Sequence, residues 1–277
     1  MRKRFEKQVM GVSKTVTRMG FELCYRVFGQ GLTVVLVPSL GRGSEDFDVV
    51  APLIASAGLQ VLLPEPRGIG GSSPLQQTDT LSDMAADVAA IIEAESAGPA
   101  VLAGHAAGNW VARVLAYERP DLTRSVALLA AIVTNVVPAD LSVSISKCHD
   151  LTLPEAERLA LLKKIYFAPG ADASVWLGGW WPDVSADQRR AARQTIDKTW
   201  IRVADKHPTL YLAAAQDVIS PPPSLDALRD TIGPKASSVV ISDAGHALLP
   251  EQPEQVAQAL LDWISDLPSG PLNSQAV

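Results

Sequence analysis

The sequence has few cysteines and no cluster of metal-ligating side chains. Of its 277 residues only Cys24 and Cys148 are cysteines, too few for the disulfide framework of a small secreted domain. No cysteines or histidines have the spacing of a zinc site, and the adjacent Cys148 and His149 do not form a chelating arrangement. The sequence therefore predicts no metal site.

An excess of positive charge and long apolar runs are also missing. The 24 Lys and Arg residues are outnumbered by 30 Asp and Glu residues, which gives a net charge of -6 at pH 7. Binding to nucleic acid or to an anionic membrane needs a basic surface, so we expect neither partner. The basic N-terminal stretch lacks the apolar segment of a secretory signal, and the longest apolar runs, at residues 32–37 and 126–133, are far shorter than the ~20 residues that span a bilayer. These absences predict a soluble cytoplasmic protein, whose oligomeric state stays open.

What the sequence does contain is a regular alternation of short apolar strands with helices. The predicted buried strands are residues 32–37, 59–63, 100–103, 125–131, 210–214 and 238–241. Helical patterns separate them, so we expect an α/β fold in which a mostly parallel sheet is covered by helices on both faces. Residues 14–18 and 22–27 alternate between apolar and polar side chains, which predicts an antiparallel hairpin at the edge of the sheet.

The alternation stops between residues 134 and 205, where only helical patterns occur. This stretch carries four of the six tryptophans in the chain: Trp176, Trp180, Trp181 and Trp200. We predict a core formed by residues 1–133 and 206–267, a helical cap at 134–205 that covers a site, and a flexible tail at 268–277. The alternative is a helical subdomain whose tryptophans only pack against each other.

One short segment has the form of a catalytic turn without its nucleophile. Residues 104–108 read Gly-His-Ala-Ala-Gly and lie between a predicted strand and a predicted helix. Glycines two positions either side of a central residue permit the strained turn that presents a nucleophile above a sheet. Here Ala106 is the central residue. Further along, Asp217 follows a strand and His246 lies in the loop after the last strand, which is the order of acid and base in triads of this kind.

These features, in this order, resemble the α/β-hydrolase superfamily, especially its capped bacterial members with a G-H-A-x-G-N elbow. The resemblance extends from about residue 32 to residue 264 and includes the segments VLVPSLGRGSEDF and PEPRGIGGSS. It implies no metal or organic cofactor, because side chains and backbone dipoles supply the chemistry of that fold. It also implies that His105, beside the central residue, points into the fold. Many members carry His-Gly where this chain has Pro38-Ser39.

The resemblance further implies roles for individual residues. His246 would be the general base, and Asp217 the carboxylate that orients it and stabilises its charged form. The backbone N–H groups of Leu40 and Ala107 would form the oxyanion hole. The side chains expected to contact a substrate come from the oxyanion loop and the cap: Ser39, Trp176 and Trp180.

The alanine at the elbow decides which function is expected. Loss of the serine from a triad lowers kcat on the order of 10^6-fold, so Ala106 closes the acyl-enzyme route. We therefore expect an enzyme that acts on a small apolar carbonyl compound, an ester or lactone, with His246 activating water directly. Three alternatives stay open: a serine hydrolase whose nucleophile was exchanged for alanine, a lyase or cofactor-free oxygenase that uses the same base, and a ligand-binding protein without turnover.

Overall fold

The computed structural model describes residues 11–133 and 136–268. The start of the basic N-terminal stretch, residues 134–135 and all but the first residue of the predicted tail lie outside the described residues. The strands are β1 (Val12–Arg18), β2 (Phe21–Gly29), β3 (Thr33–Val37), β4 (Gln60–Pro64), β5 (Ala100–His105), β6 (Thr123–Leu129), β7 (Thr209–Ala214) and β8 (Ala236–Ile241). The helices are α1 (Val50–Ser56), α2 (Leu81–Ala94), α3 (Gly108–Glu118), α4 (Ala139–Cys148), α5 (Glu155–Ile165), α6 (Pro182–Gln194), α7 (Leu225–Ile232), α8 (Leu248–Glu251) and α9 (Pro253–Ser265). Short 3-10 helices occur at Ser44–Phe47, Pro120–Leu122, Ala173–Trp176 and Thr199–Asp205.

In the described part of the chain the strands form one sheet in the order β1-β2-β4-β3-β5-β6-β7-β8. The strands from β3 to β8 pair in parallel, whereas β1 pairs with β2, and β2 with β4, in antiparallel fashion. The predicted fold class, a mostly parallel sheet with helices on both faces, is confirmed. The sheet places the carboxyl ends of β5, β6, β7 and β8 along one edge, where the loops that follow them meet.

Both faces of the sheet are buried because successive side chains of a strand point to opposite sides. In β5, Val101 and Ala103 face one side and Leu102 faces the other, and none of the three is exposed. Helices α2, α3 and α7 pack on the side of Leu102. Helices α1 and α9 pack on the side of Val101. This two-sided burial explains why the central strands are continuous apolar runs.

The segment between β6 and β7 corresponds to the range of the predicted cap, and "the cap" is used below only as the name of this segment. It carries α4, α5, α6 and a short 3-10 helix that ends at Trp176. It has its own apolar cluster, which includes Tyr166 and Trp180 and extends to Ile219 and Ala247 of the core. The 3-10 helix at Thr199–Asp205 lies in the predicted cap range, but it packs its apolar side chains into the core on the α3 side of the sheet. Among the described residues, no helix combines the length and apolar character that would cross a membrane.

Candidate active site

The turn between β5 and α3 adopts the strained geometry of a nucleophile elbow. Ala106 has a φ of +44°, a left-handed conformation that costs a non-glycine residue about 1–2 kcal/mol. The two glycines are needed because the backbone approaches itself closely. A Cβ atom on Gly104 would lie 2.4 Å from the nitrogen of Asn109, and one on Gly108 would lie 2.4 Å from the carbonyl oxygen of Val37. The chain thus keeps a tightly constrained elbow around an alanine.

The structure brings His246 and Asp217 together at this edge of the sheet. The distance from Nδ1 of His246 to Oδ2 of Asp217 is 2.8 Å, and both side chains are buried. The other oxygen, Oδ1, accepts hydrogen bonds from the backbone N–H groups of Ile219 at 2.8 Å and Ser220 at 2.9 Å. Every oxygen of this carboxylate therefore has a donor, which fixes its orientation.

These contacts also set the protonation of the pair. Burial raises the pKa of Asp217, but the charge of His246 and the hydrogen bonds to the carboxylate outweigh burial and leave the pKa below its usual value. Because an ionised carboxylate only accepts hydrogen bonds, Nδ1 of His246 carries the proton. Nε2 is then the acceptor nitrogen. This is the tautomer that a general base requires.

The predicted oxyanion donors lie beside the elbow. Leu40, Ala107 and the side chain of His246 line the same cavity as Ala106. Within residues 11–133 and 136–268, the N–H groups of Leu40 and Ala107 have no hydrogen-bond acceptor. Ala107 is also the N-cap residue of α3, where the helix dipole favours negative charge. Two backbone donors are thus available to a negatively charged oxygen.

The cavity at this site has a volume of about 210 Å³, and aromatic and imidazole rings form part of its lining. The ring-bearing residues that line it beside His246 come from the elbow region and the cap: His105, Trp110, His149, Tyr166, Trp176 and Trp180. Ser39 lines it as well. Of the sequence-predicted contacts, Ser39, Trp176 and Trp180 therefore lie at the cavity. Trp181 does not line it and is 46% exposed.

Sequence reasoning missed several residues of this lining. His149 stacks on Trp180 with ring centroids 4.3 Å apart, and its Nε2 lies 3.0 Å from the hydroxyl of Tyr166. Burial, with the nearby positive charges of Arg189 and Arg42, lowers the pKa of His149 to about 3, so this histidine is neutral at physiological pH. No pattern in the sequence marked it, because its neighbours in space belong to other helices and loops.

Arg42 is a second residue that the sequence did not single out. Its guanidinium lies 4.7 Å from the ring centroid of Trp176 and 4.6 Å from that of Trp180, so the cation contacts both indoles. It also binds the carboxylate of Asp46 and donates a 2.8 Å hydrogen bond to the carbonyl of Gly178. Arg42 therefore links Trp176 and Trp180 to the loop that follows β3.

His105 lies in the interior behind the elbow. Its Nε2 is 3.0 Å from the carbonyl oxygen of His246, and the side chain is fully buried. Burial and the proximity of His246 lower the pKa of His105 to about 4. A neutral imidazole therefore holds the backbone of the loop that carries His246. This position agrees with the structural role expected from the sequence.

The loop of His246 is also tied to the cap through Glu251. The carboxylate of Glu251 accepts hydrogen bonds from the N–H of Gly245 at 2.8 Å and from the N–H of Ala168 at 2.7 Å. The carbonyl oxygen of Tyr166 accepts a further one from the N–H of Ala247, at 2.8 Å. Residues 166–168 and Glu251 thus hold the loop of His246 in place.

Comparison with known proteins finds similar sequences. The chain is 26% identical over 264 residues to the putative non-heme bromoperoxidase BpoC of Mycobacterium tuberculosis, an alignment that covers 88% of this chain and 98% of BpoC. It is also 29% identical over 108 residues to the putative carbamate hydrolase RutD of Azorhizobium caulinodans, covering 39% of this chain and 40% of RutD.

Solved structures show the same fold. The crystal structure of BpoC from M. tuberculosis superposes with a TM-score of 0.75 at 24% identity, covering 89% of this chain and 97% of BpoC. A thermophilic esterase from Thermogutta terrifontis superposes with a TM-score of 0.72 at 22% identity, covering 93% and 99% of the two chains. Residues 34–259 match the model of the "Alpha/beta hydrolase family". With its parallel sheet, elbow and matching sequence, the chain belongs to the alpha/beta hydrolase family.

Proposed function

We propose that this protein hydrolyses a small apolar carbonyl compound, an ester or lactone, by activating water at His246. The observation that carries the proposal is the buried 2.8 Å hydrogen bond between His246 and Asp217 at the wall of a cavity that Ala106 also lines. The methyl group of Ala106 cannot attack a carbonyl carbon, so water is the nucleophile. Membership of a family whose members include hydrolases supports a reaction of this type.

In the proposed reaction His246 moves a proton twice. The oxygen of a water molecule attacks the carbonyl carbon while Nε2 of His246 takes the proton of that water. The resulting oxyanion accepts hydrogen bonds from the N–H groups of Leu40 and Ala107. When the tetrahedral intermediate collapses, the bond to the leaving oxygen breaks, and the imidazolium gives its proton to that oxygen. The products are an acid and an alcohol, and His246 is neutral again.

Asp217 acts through His246 in this scheme. Its carboxylate is within hydrogen-bond distance of Nδ1, so it stabilises the positive charge that the imidazole gains when it takes the proton. The pKa of Asp217 lies below its usual value, which keeps the carboxylate ionised at neutral pH. An ionised Asp217 therefore stabilises the positive charge that develops on His246 in the transition state.

The cavity supports a small substrate with an apolar acyl group. Its volume of about 210 Å³ is below the roughly 300–1,000 Å³ of sites for drug-sized ligands. The rings of Tyr166, Trp176 and Trp180 offer flat apolar surfaces to the acyl group. The hydroxyl of Ser39 is the polar side chain nearest in sequence to the oxyanion donor Leu40, and we expect it to contact the carbonyl end of the substrate.

The test is turnover of a panel of short esters and lactones in oxygen-18 water. We expect His246→Gln to lower kcat/KM by about 10²–10⁴-fold, the usual contribution of a general base. His207→Gln is the matched control, because His207 is also buried but binds the carbonyl of Ala116 and does not line the cavity. Hydrolysis places oxygen-18 in the acid product.

The alternative functions give results that differ from those of hydrolysis. Turnover without oxygen-18 in the product indicates a lyase or an oxygenase. Saturable binding of panel compounds without turnover indicates a ligand-binding protein. Turnover that His246→Gln and His207→Gln affect equally contradicts the assignment of His246 as the base.

A further inference from the structure

A second cavity lies where the cap meets the core, directly beside the catalytic cavity. This junction cleft has a volume of about 600 Å³ and shares Trp110, Ile132 and Arg189 with the catalytic cavity. The charged residues that line it are all basic: Arg113, Arg189, Arg193 and Lys198. None of its lining residues in the described part of the chain is acidic. Four cations without a carboxylate are unusual in a protein whose net charge is -6.

Arg113 is the deepest of these cations. It lies on α3, the helix that begins at the elbow, three residues after Trp110 and thus on the same helix face. The side chain is 97% buried and stacks on Trp200, with 4.8 Å from the guanidinium carbon to the ring centroid. Its one hydrogen bond with the described residues is a long one, 3.4 Å, to the carbonyl of Ile201, and its Nε has no partner there. A buried guanidinium in this state is unfavourable until an anion binds it.

The arginines of α6 add to the same side of the cleft. Arg189 and Arg193 are four residues apart, so they share a helix face, where two like charges repel each other. Neither makes an ion pair or donates a hydrogen bond within residues 11–133 and 136–268. Arg190, between them, faces away, pairs with Asp187 and donates to the carbonyl of Gln76 at 2.9 Å. On α6 the arginine that points away from the cleft therefore has an ion-pair partner, whereas the two that point towards the cleft have none among the described residues.

Lys198 completes the cluster beside the indole of Trp200. Its Nζ lies 5.7 Å from the ring centroid of Trp200, the ring on which Arg113 also stacks. Burial lowers the pKa of Arg113 to about 9, which still leaves the guanidinium charged at neutral pH. The cluster therefore presents positive charge from both the core and the cap.

We propose that the junction cleft binds a carboxylate or phosphate group, and that this group is the far end of the molecule whose carbonyl reacts at His246. The substrate is then apolar at its reacting end, as proposed above, and carries one anionic group at the end that enters the cleft. Guanidinium groups bind both kinds of anion through paired N–H donors. Arg189 and Trp110 line both cavities, so one ligand can occupy both. The anion site itself does not depend on the proposed hydrolysis, whereas its assignment to the substrate rests on that function.

The anion site is tested by calorimetric titration of the full chain with inorganic phosphate and with succinate. Sodium chloride at equal ionic strength is the reference. We expect one of the two anions to bind saturably, and the stronger one to identify the group. Arg189→Gln and Arg193→Gln should each weaken binding about tenfold, because a hydrogen bond to a charged group is lost. Arg190→Gln, the same change at the neighbouring position, should leave the affinity within about twofold.

The possible outcomes distinguish specific anion binding in the junction cleft from a general effect of positive charge. Binding no tighter than that of chloride overturns the site, and so does an equal loss in the Arg189, Arg190 and Arg193 variants. Arg113→Met should abolish binding without lowering the thermal stability of the free protein, because it removes a buried charge that lacks a carboxylate. If that variant does not fold, the variants of α6 still decide the question.

The assignment to the substrate is tested with two esters of equal chain length. These are the 4-nitrophenyl monoester of adipate, which carries a carboxylate, and neutral 4-nitrophenyl hexanoate. We expect the unsubstituted protein to prefer the anionic ester in kcat/KM, and Arg189→Gln to reduce that preference about tenfold. A preference that Arg189→Gln leaves unchanged overturns the assignment. If neither ester is hydrolysed, the proposed function and the substrate assignment fail together, and the phosphate titration still decides the anion site.

Discussion

Replacement of Ala106 by serine should give the elbow a working nucleophile. Residue 106 already has a φ of +44°, and serine can adopt this conformation at a cost similar to that of alanine. Its hydroxyl would enter the cavity that His246 lines, where Nε2 is an acceptor. We therefore expect the free energy of unfolding to change by less than about 1 kcal/mol.

The magnitude of the gain follows from the base that is already in place. A positioned general base contributes about 10²–10⁴-fold, so Ala106→Ser should react with a fluorophosphonate probe at least about 100-fold faster than the double variant Ala106→Ser/His246→Gln. The protein with Ala106 should not react at residue 106, because a methyl group has no nucleophilic atom. The upper limit for the gain in ester turnover is on the order of 10^6-fold in kcat.

The assay is intact-mass spectrometry of the labelled protein over time. Ala107→Ser is the matched control, because it adds the same hydroxyl one residue further along, outside the elbow position. A folded Ala106→Ser variant that stays unlabelled would refute the interpretation of this turn as a nucleophile elbow. Equal labelling of the Ala107→Ser variant would refute it too. Labelling of Ala106→Ser alone would also agree with a serine hydrolase whose nucleophile was exchanged for alanine.

Three further predictions concern the elbow, the cap and acid stability. Gly108→Ala should destabilise the protein by about 1–3 kcal/mol, because its Cβ would lie 2.4 Å from the carbonyl oxygen of Val37; an unchanged urea midpoint would contradict the close approach. Trp176→Ala should cost about 3–5 kcal/mol, since this buried ring packs edge-on against Tyr166 and Trp180, and a loss below 1 kcal/mol would show that the cluster does not hold the cap. The pKa of His149 is lowered to about 3, so the unfolded chain binds a proton more readily, and stability should fall by up to about 1.4 kcal/mol per pH unit as the pH drops from about 6.5 towards 3. His149→Phe should make this decline in stability shallower, which urea unfolding at pH 7 and pH 4.5 measures. A loss of stability of the same size in the variant and in the unsubstituted protein would contradict the buried neutral state of His149.

Local patterns made much of the sheet predictable. The apolar run of β5 and the glycines around Ala106 predict a buried strand followed by a tight turn, because these features depend on neighbouring residues. Boundaries were less accurate where tertiary contacts override the pattern. The pattern of residues 47–57 predicts a short helical segment, whereas the structure has a 3-10 helix at Ser44–Phe47 and a separate α1 at Val50–Ser56.

The sequence likewise predicted some residues of the candidate site and not others. Asp217 and His246 were recognisable because each follows a strand in the order that the resemblance implies. His149, Arg42 and Arg113 were not, because nothing adjacent to them in the chain marks their function. Arg42 gains its role from two indoles more than 130 residues away, and Arg113 from an indole that follows α6. Such neighbours are fixed only when the cap docks on the core.

The amino-acid sequence by itself determined the alternation of strands and helices, the presence of an elbow, and the absence of a nucleophile from it. Each of these features depends on residues that are close together in the chain, where sterics and apolar periodicity act locally. Only the tertiary structure decided that His246 meets Asp217 at 2.8 Å, that aromatic rings of the cap line the cavity, and that arginines of α3 and α6 with no carboxylate partner among the described residues face one cleft. The physical reason is that burial, charge and hydrogen-bond partners depend on distances through space, and packing of the whole chain sets those distances.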